Sequence, residues 1–306
     1  MASNTLLKSV SRAMERIAPL RLAEKWDNEY CQPLAVGVGL LLESPVQRPG
    51  RNRVLLTIDL TTAVLSEAVA KETSVIVAYH PTIFKGLQSL TLANPLQRSL
   101  LTCAAEGISV YSPHTALDSV WGGINDWLAQ GLLSGAKDGV IEPLAGQKLN
   151  ATGDSEGAEG RLVTLNQPID MRELERRIKA HLKLTHLQVG YAEQVEEPVE
   201  AGQDRSSSPW SVRTIAICAG SGGSMLLGTK ADVYFTGEMS HHEVLAAVAE
   251  GKNVVLCGHT NTERGYLPVL AEKLRNELGS QECKDEGLAD VEVVVSQKDQ
   301  HPLEIV

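Results

Sequence analysis

The chain contains no C-x-x-C pair, which removes thiolate zinc sites and thioredoxin-like redox chemistry from consideration. Its cysteines, Cys31, Cys103, Cys218, Cys257 and Cys283, are odd in number and scattered. That distribution fits a reducing compartment in which buried thiols act as small hydrophobes. Cys257 ends a hydrophobic strand-like run, a setting that raises a thiol pKa and argues against cysteine catalysis. No apolar run approaches the roughly 20 residues of a membrane-spanning helix. Positive charge is also short: 28 Lys and Arg stand against 38 Asp and Glu, a net charge of −10. That argues against a surface built to track phosphate backbones, so no direct nucleic-acid contact is expected. G-x-S-x-G is absent, because GSGGS has a different order, and no Ser-His-Asp triad is readable. The Lys-Ser/Thr of a P-loop and the spacing of G-x-G-x-x-G are absent too. There is no fixed-period repeat.

What is present is an ordinary globular composition, 43% hydrophobic and 22% charged over 306 residues, long enough for two compact domains. Runs of β-branched and apolar residues predict strands at Val54 to Ile58, Val75 to Ala78, Ile108 to Tyr111, Thr214 to Cys218, Val233 to Thr236, Val254 to Cys257 and Val291 to Val295. Between many of them lie helical patterns: Thr61 to Lys71, Pro95 to Glu106, Ile124 to Leu132, His242 to Glu250 and Leu267 to Leu278. The alternation predicts an α/β fold with mixed, mostly parallel sheets covered by helices. Gly153 to Gly160 reads as a loop, Arg161 to Leu165 as a strand, Met171 to Leu182 as a helix, and the acidic Ser/Pro-containing stretch Val195 to Pro209 as a linker. A division is expected between 136 and 160. It gives an N-terminal domain over 1–145 and a second α/β segment over 146–306, with a linker near 195–210. The first segment, with Leu6, Leu7, Val10, Met14, Ile17 and Leu20 at helical spacing and Lys8, Arg12 and Arg16 between them, has two readings. One is the fold's first helix, in a cytoplasmic protein. The other is a mitochondrial presequence, against which Glu15 and the lack of a serine-rich stretch speak.

Five of the eight histidines fall just beyond strand-like runs: His80, His114, His241, His242 and His259. Ligand sites of open α/β sheets lie outside the carboxyl ends of strands, so these residues, far apart in sequence, can meet in one crevice. Two carboxylates accompany them at a spacing of four, Asp118 after His114 in HTALD and Glu263 after His259 in HTNTE. On a helix or single turn each pair points one way. Imidazole with carboxylate suits Zn, Mn, Fe or Co. Each residue taken singly also has a plain reading as a hydrogen-bonded loop residue. His181, His186 and His301 read as structural or solvent-facing. The glycine-rich CAGSGGSML, Cys218 to Leu226, reads as a tight strand-to-helix turn, with a phosphate cradle as the alternative.

The segments AEKWDN, AYHPTIFKGLQSLT, VYSPHTALDSVWGGINDWLA, TGEMSHHEVL and GHTNTERGYLPVLAEKL resemble the NGG-interacting factor three-like family, the dinuclear-metal proteins also called GTP cyclohydrolase I type 2 homologues. The resemblance runs from about residue 6 to the C-terminus. It implies two α/β domains with a cleft holding two divalent metal ions. Matched by motif, His80, Asp118, His259 and Glu263 are the implied ligands, with His114 a further ligand or support. Many bacterial members carry two adjacent histidines where this chain has Tyr79-His80, so one ligand is lost here. The join EYCQPLAVG, over 29–37, is longer than the family's and reads either as a surface insertion or as a retained intron fragment. The resemblance also implies homo-oligomers, hexamers among them. The implied activity is that of a metal-dependent hydrolase acting on a nucleotide. His114, His241 and His242 are candidates for moving protons, and Arg264 for meeting a phosphate or, equally, supporting Glu263 or Asp118. The alternative is a non-enzymatic metal-handling or regulatory protein, acting through a transcriptional regulator partner.

Overall fold

Strand formation follows the apolar runs. In a computed structural model, which describes residues 5–29, 37–135, 137–192, 211–288 and 290–306, the strands are β1 Gly39–Leu42, β2 Arg53–Thr57, β3 Val75–Ala78, β4 Ser109–Ser112, β5 Gly139–Leu149, β6 Ser155–Asp170, β7 Gln188–Gly190, β8 Ser211–Ser221, β9 Val233–Glu238, β10 Asn253–Leu256 and β11 Glu292–Val295. The chain divides into two units, Met1–Val120 with Tyr266–Val306, and Trp121–Gly265.

The first unit holds a sheet of order β1-β4-β3-β2-β11. β4, β3, β2 and β11 run parallel, and β1 closes the edge antiparallel to β4. β3 and β4 are buried along their whole length, which is why VIVA and SVYS show no polar alternation. Leu55, Ile76, Ala78 and Val110 pack with Val64, Leu65, Ala68 and Cys103 of helices Thr62–Ala70 and Pro95–Glu106. Strand alternation turns Val54, Leu56, Val75 and Val77 to the opposite face. Both helices start where local chemistry satisfies their first amides. Thr61 accepts from Val64 N–H, and Asn94 accepts from Leu96 and Gln97 N–H ahead of Pro95.

The basic first segment forms helix Thr5–Ile17, whose buried face is Leu6, Leu7, Ser9, Val10, Ala13 and Met14. Arg12 pairs with Glu286 and Arg16 with Glu277. These charges are therefore engaged within the unit. No helix among the described residues is long and apolar enough to cross a membrane.

The second unit holds a sheet of order β5-β6-β8-β9-β10-β7. β8, β9 and β10 are parallel, whereas β5, β6 and β7 pair antiparallel. This sheet is thus more antiparallel than the strand–helix alternation predicts. Its parallel strands cover Ala216, Cys218, Tyr234 and Val254, packed on Leu226, Ala231 and Ala247.

Two expectations change. Gly153 to Gly160 is not all loop: Ser155 onward is strand, paired with β5. Its small residues are functional in packing, since a Cβ on Gly160 (φ +60°) would lie 2.8 Å from the Ile217 carbonyl oxygen. The 1–145 and 146–306 boundaries also differ from the observed units. β11 pairs with β2, and helix Leu267–Leu278 packs on helix Thr5–Ile17, so the C-terminal segment joins the first unit. The linker at 195–209 lies outside the described residues, as do Cys31 and most of the 29–37 join.

Candidate functional site

In the first unit the carboxyl ends of the parallel strands carry the chemistry. The backbone runs on past β2 and β3 with Tyr79 N–H bonded to Thr57 and His80 N–H to Ile58, which places Asp59 beside His80. Asp59 Oδ1 lies 2.9 Å from His80 Nδ1. A carboxylate at Nδ1 favours the tautomer with its proton there and the lone pair on Nε2, an arrangement of the kind that supports metal-bound histidines.

Tyr79 OH donates to both carboxylate oxygens of Asp118 at 2.8 Å. Tyr79, which the family resemblance reads as standing in place of a ligand histidine, therefore engages the expected ligand Asp118. His114 is buried, its Nδ1 2.7 Å from Asp27 Oδ1, while Thr115 Oγ1 donates to Asp27 Oδ2. His114 also has φ +36° and ψ −127°, a conformation rare for a side chain of this size. The Asp27 pairing and the His114 N–H to Tyr79 carbonyl bond hold it there.

A buried carboxylate fixes the loop after β11 over the same strand ends. Glu67 accepts from Ser296 Oγ, the Gln297 and Lys298 amides and Lys71 Nζ. The loop continues to Asp299, which accepts from Ile58 N–H. Burial alone would raise the Glu67 pKa, but the bonds from Lys71, Ser296 and Gln297 outweigh it and hold it down to about 2. The folded value lies below the ordinary 4.5, so the unfolded chain binds more protons at intermediate pH. Glu67 then stabilises fully above about 4.5 and progressively less toward about 2. Glu67→Gln is expected to flatten this loss, read as the urea midpoint between pH 5 and about 2. An unchanged pH profile in the variant would contradict the assignment.

In the second unit His259 follows β10 and Glu238 ends β9. His259 Nδ1 lies 2.9 Å from Glu238 Oε1, and Nε2 lies 3.3 Å from Glu263 Oε1. Glu263 is only 1% exposed. The one-turn geometry predicted by H-x-x-x-E is realised as a 3-10 turn, His259–Thr262. Bonds of about 2.0–2.2 Å to a tetrahedral cation place neighbouring ligand atoms about 3.4 Å apart, which the 3.3 Å separation matches.

Glycines make room for this pair. A Cβ on Gly220 (φ +65°) would lie 2.8 Å from Glu263 Oε1 and 2.9 Å from His259 Nε2. One on Gly237 would lie 2.7 Å from His259 Cα. Gly220 N–H donates to Thr262 Oγ1, which donates to the His259 carbonyl. CAGSGGSML is thus a tight turn built against the His259–Glu263 pair. Donor chemistry, orientation by Glu238 and a close-fitting glycine wall fit a divalent cation.

The remaining candidates fall elsewhere. His241 and His242 are exposed at the start of helix His241–Ala249, their rings 5.3 Å apart, and Glu238 is bonded to His259. Arg264 Nη1 donates to Thr260 Oγ1. His181 packs its ring on Trp127 at 4.3 Å, a structural placement, and burial lowers its pKa. Burial pushes the Cys257 thiol up to about 12, which removes it as a nucleophile. Asp27 and Asp59 were not among the expected site residues. Asp27 lies in the AEKWDN segment, while Asp59, in an unremarkable TIDLT, has no signal beyond its place after a strand.

Fold and site together define a two-unit α/β protein with histidine–carboxylate pairs at the carboxyl ends of its parallel strands. The chain belongs to the Duf34/NIF3 (NGG1p interacting factor 3) family, whose match spans residues 5–302. It is 44% identical over 305 residues to the protein NIF3 homolog of Schizosaccharomyces pombe, covering 99% of each chain. It is 36% identical over 315 residues to NGG1-interacting factor 3 of Saccharomyces cerevisiae, covering 98% of this chain and 96% of that one. Its fold is similar to that of a Bacillus cereus protein related to NIF3, with TM-score 0.72, 19% identity and 98% of each chain covered. It is also similar to reduced HcgD from Methanocaldococcus jannaschii, with TM-score 0.67, 22% identity, and 95% and 97% covered.

Proposed function

We propose that this chain binds two divalent metal ions through His80, Asp118, His259 and Glu263, with His114 in support, and acts as a metal-dependent hydrolase on a nucleotide. The observation that carries the reading is the His259 ring, held by Glu238 at Nδ1 with Nε2 3.3 Å from the buried Glu263 carboxylate. His80, oriented by Asp59, supplies the same chemistry from the first unit. A bound divalent cation would lower the pKa of a coordinated water toward neutrality and stabilise developing negative charge. The chain's own part is to fix the imidazoles by Asp59 and Glu238, to hold Asp118 through the Tyr79 hydroxyl, and to present His114, His241 or His242 for proton movement and Arg264 for an anion.

The metal ion is Zn, Mn, Fe or Co by donor type. Homo-oligomers, hexamers among them, are the proposed assembly. A nucleotide screen on metal-loaded protein is expected to find turnover that chelation removes and metal restores, with His259→Ala inactive. Turnover that survives metal stripping overturns the reading. The second reading is a metal-handling or regulatory protein acting through a transcriptional regulator; the name of the Saccharomyces relative, NGG1-interacting factor 3, supports a protein partner. Bound metal that passes to an apo-partner, without turnover of any nucleotide, would support it.

A further inference from the structure

Large aromatic rings are scarce here: the chain has 2 Phe and 4 Trp. Phe235 is buried, yet Phe84 is 54% exposed and Trp26 is 41% exposed. These two exposed rings lie together in the first unit, centroids 6.3 Å apart and tilted by 55°. Both reach the same histidine, His114, at 5.6 Å from Trp26 and 6.4 Å from Phe84. His114 also meets His80 at 5.7 Å. The Trp26 indole N–H donates to Glu24, which orients a ring that remains exposed. Each aromatic is followed or preceded by an exposed lysine, Lys25 before Trp26 and Lys85 after Phe84. Among the described residues neither lysine carries an ion pair, in a chain whose net charge is −10.

We propose that Trp26 and Phe84 form a stacking platform for the planar heteroaromatic ring of an anionic, nucleotide-like ligand, with Lys25 and Lys85 meeting its phosphate. Base–aromatic stacking is sequence-tolerant, strong and favoured by exposed, pre-oriented rings. Exposed lysines next in sequence to each ring, neither ion-paired among the described residues, supply positive charge that a phosphate on the same ligand would use. A ring seated there lies one histidine away from the candidate ligand His80. The inference rests on the nucleotide reading above and names the residues that recognise the base.

The test is calorimetric titration of the metal-loaded full chain with GMP and with ribose 5-phosphate, which lacks the base. GMP is expected to bind at least about tenfold more tightly, and Trp26→Ala and Phe84→Ala each to weaken GMP about tenfold without moving ribose 5-phosphate. Trp26→Phe should retain GMP affinity, and Lys85→Gln should weaken both ligands. Equal affinities for the two ligands, no GMP binding, or alanine variants that bind GMP normally would overturn the platform. So would alanine variants that change sedimentation instead, since the rings would then join copies of the chain. Metal content measured on the same samples separates the two claims. GMP stacking without turnover leaves the platform standing and rejects the hydrolase. Metal-dependent turnover with unaltered GMP affinity in Trp26→Ala rejects the platform alone.

Discussion

Gly220→Ala is expected to remove most bound metal while leaving the protein folded. The added Cβ would sit 2.8 Å from Glu263 Oε1 and 2.9 Å from His259 Nε2, at a φ of +65°. The strain of a left-handed alanine costs about 1–2 kcal/mol. That is a modest part of a stability of about 5–15 kcal/mol. The clashing atoms, however, are the ends of two side chains that can swing away. The steric conflict is therefore relieved by displacing the proposed ligands rather than by moving backbone. Metal affinity should fall at least about tenfold, because supports of a site outside its ligands commonly matter by about 10–100-fold. Metal titration followed by denaturation of the same variant checks both halves. Full metal binding in Gly220→Ala would show that His259 and Glu263 do not form a site at Gly220.

The second large effect concerns stability of the unit Trp121–Gly265. The Arg161 guanidinium is 0% exposed. It meets Asp126 through two bonds, at 2.9 and 2.7 Å, and the Ala158 and Gly160 carbonyls at 2.8 Å each, and it stacks 4.2 Å from the Trp121 ring centre. Asp126 also accepts from Gly122 N–H. The pair ties helix Ile124–Gln130 to β6. Asp126→Ala leaves a buried cation without its partner, a loss of about 3–5 kcal/mol. Asp126→Leu with Arg161→Met should recover much of that loss, because it removes both charges. Chemical denaturation of the three proteins decides the matter. An Asp126→Ala variant within about 0.5 kcal/mol of wild type would contradict the assigned role.

The inner strands β2, β3 and β4 of the first sheet were legible because both faces are buried and nothing interrupts VIVA or VYS, whereas the half-exposed edge strand β1 was not read as a strand. Helices Pro95–Glu106, Met171–Leu182 and Leu267–Leu278 were readable to the residue from apolar periodicity, helped in the first and last by Pro and Gly at their ends. Strand Ser155–Asp170 was less so, since its first half is glycine-rich and polar. Small residues there serve close contact with β8, a tertiary fact that local propensity does not encode.

The observed units divide the chain differently from 1–145 and 146–306 because β11 pairs with β2, far back in the sequence. Strand-end placement and the four-residue spacing predicted that His259 and Glu263 lie together, as they do at 3.3 Å, and that His80 follows a strand end. Their orienting partners, Glu238 and Asp59, lie 21 residues away in each case. Such pairings come from neighbouring strand ends, and nothing in a local spacing reveals them. Tyr79 was legible as a lost ligand, but its bond to Asp118 depends on the side chains facing across 39 residues of sequence.

The central claim is that these imidazoles and carboxylates hold divalent cations. Elemental analysis of metal per chain after exhaustive dialysis, on wild type, His80→Ala, His259→Ala and Glu263→Gln, tests it most directly. Wild type should retain a divalent transition metal in stoichiometric amount, and each variant should lose most of it while remaining folded. A wild-type protein that takes up no metal when supplied with Zn, Mn, Fe or Co, or variants that keep as much as wild type, would contradict the account.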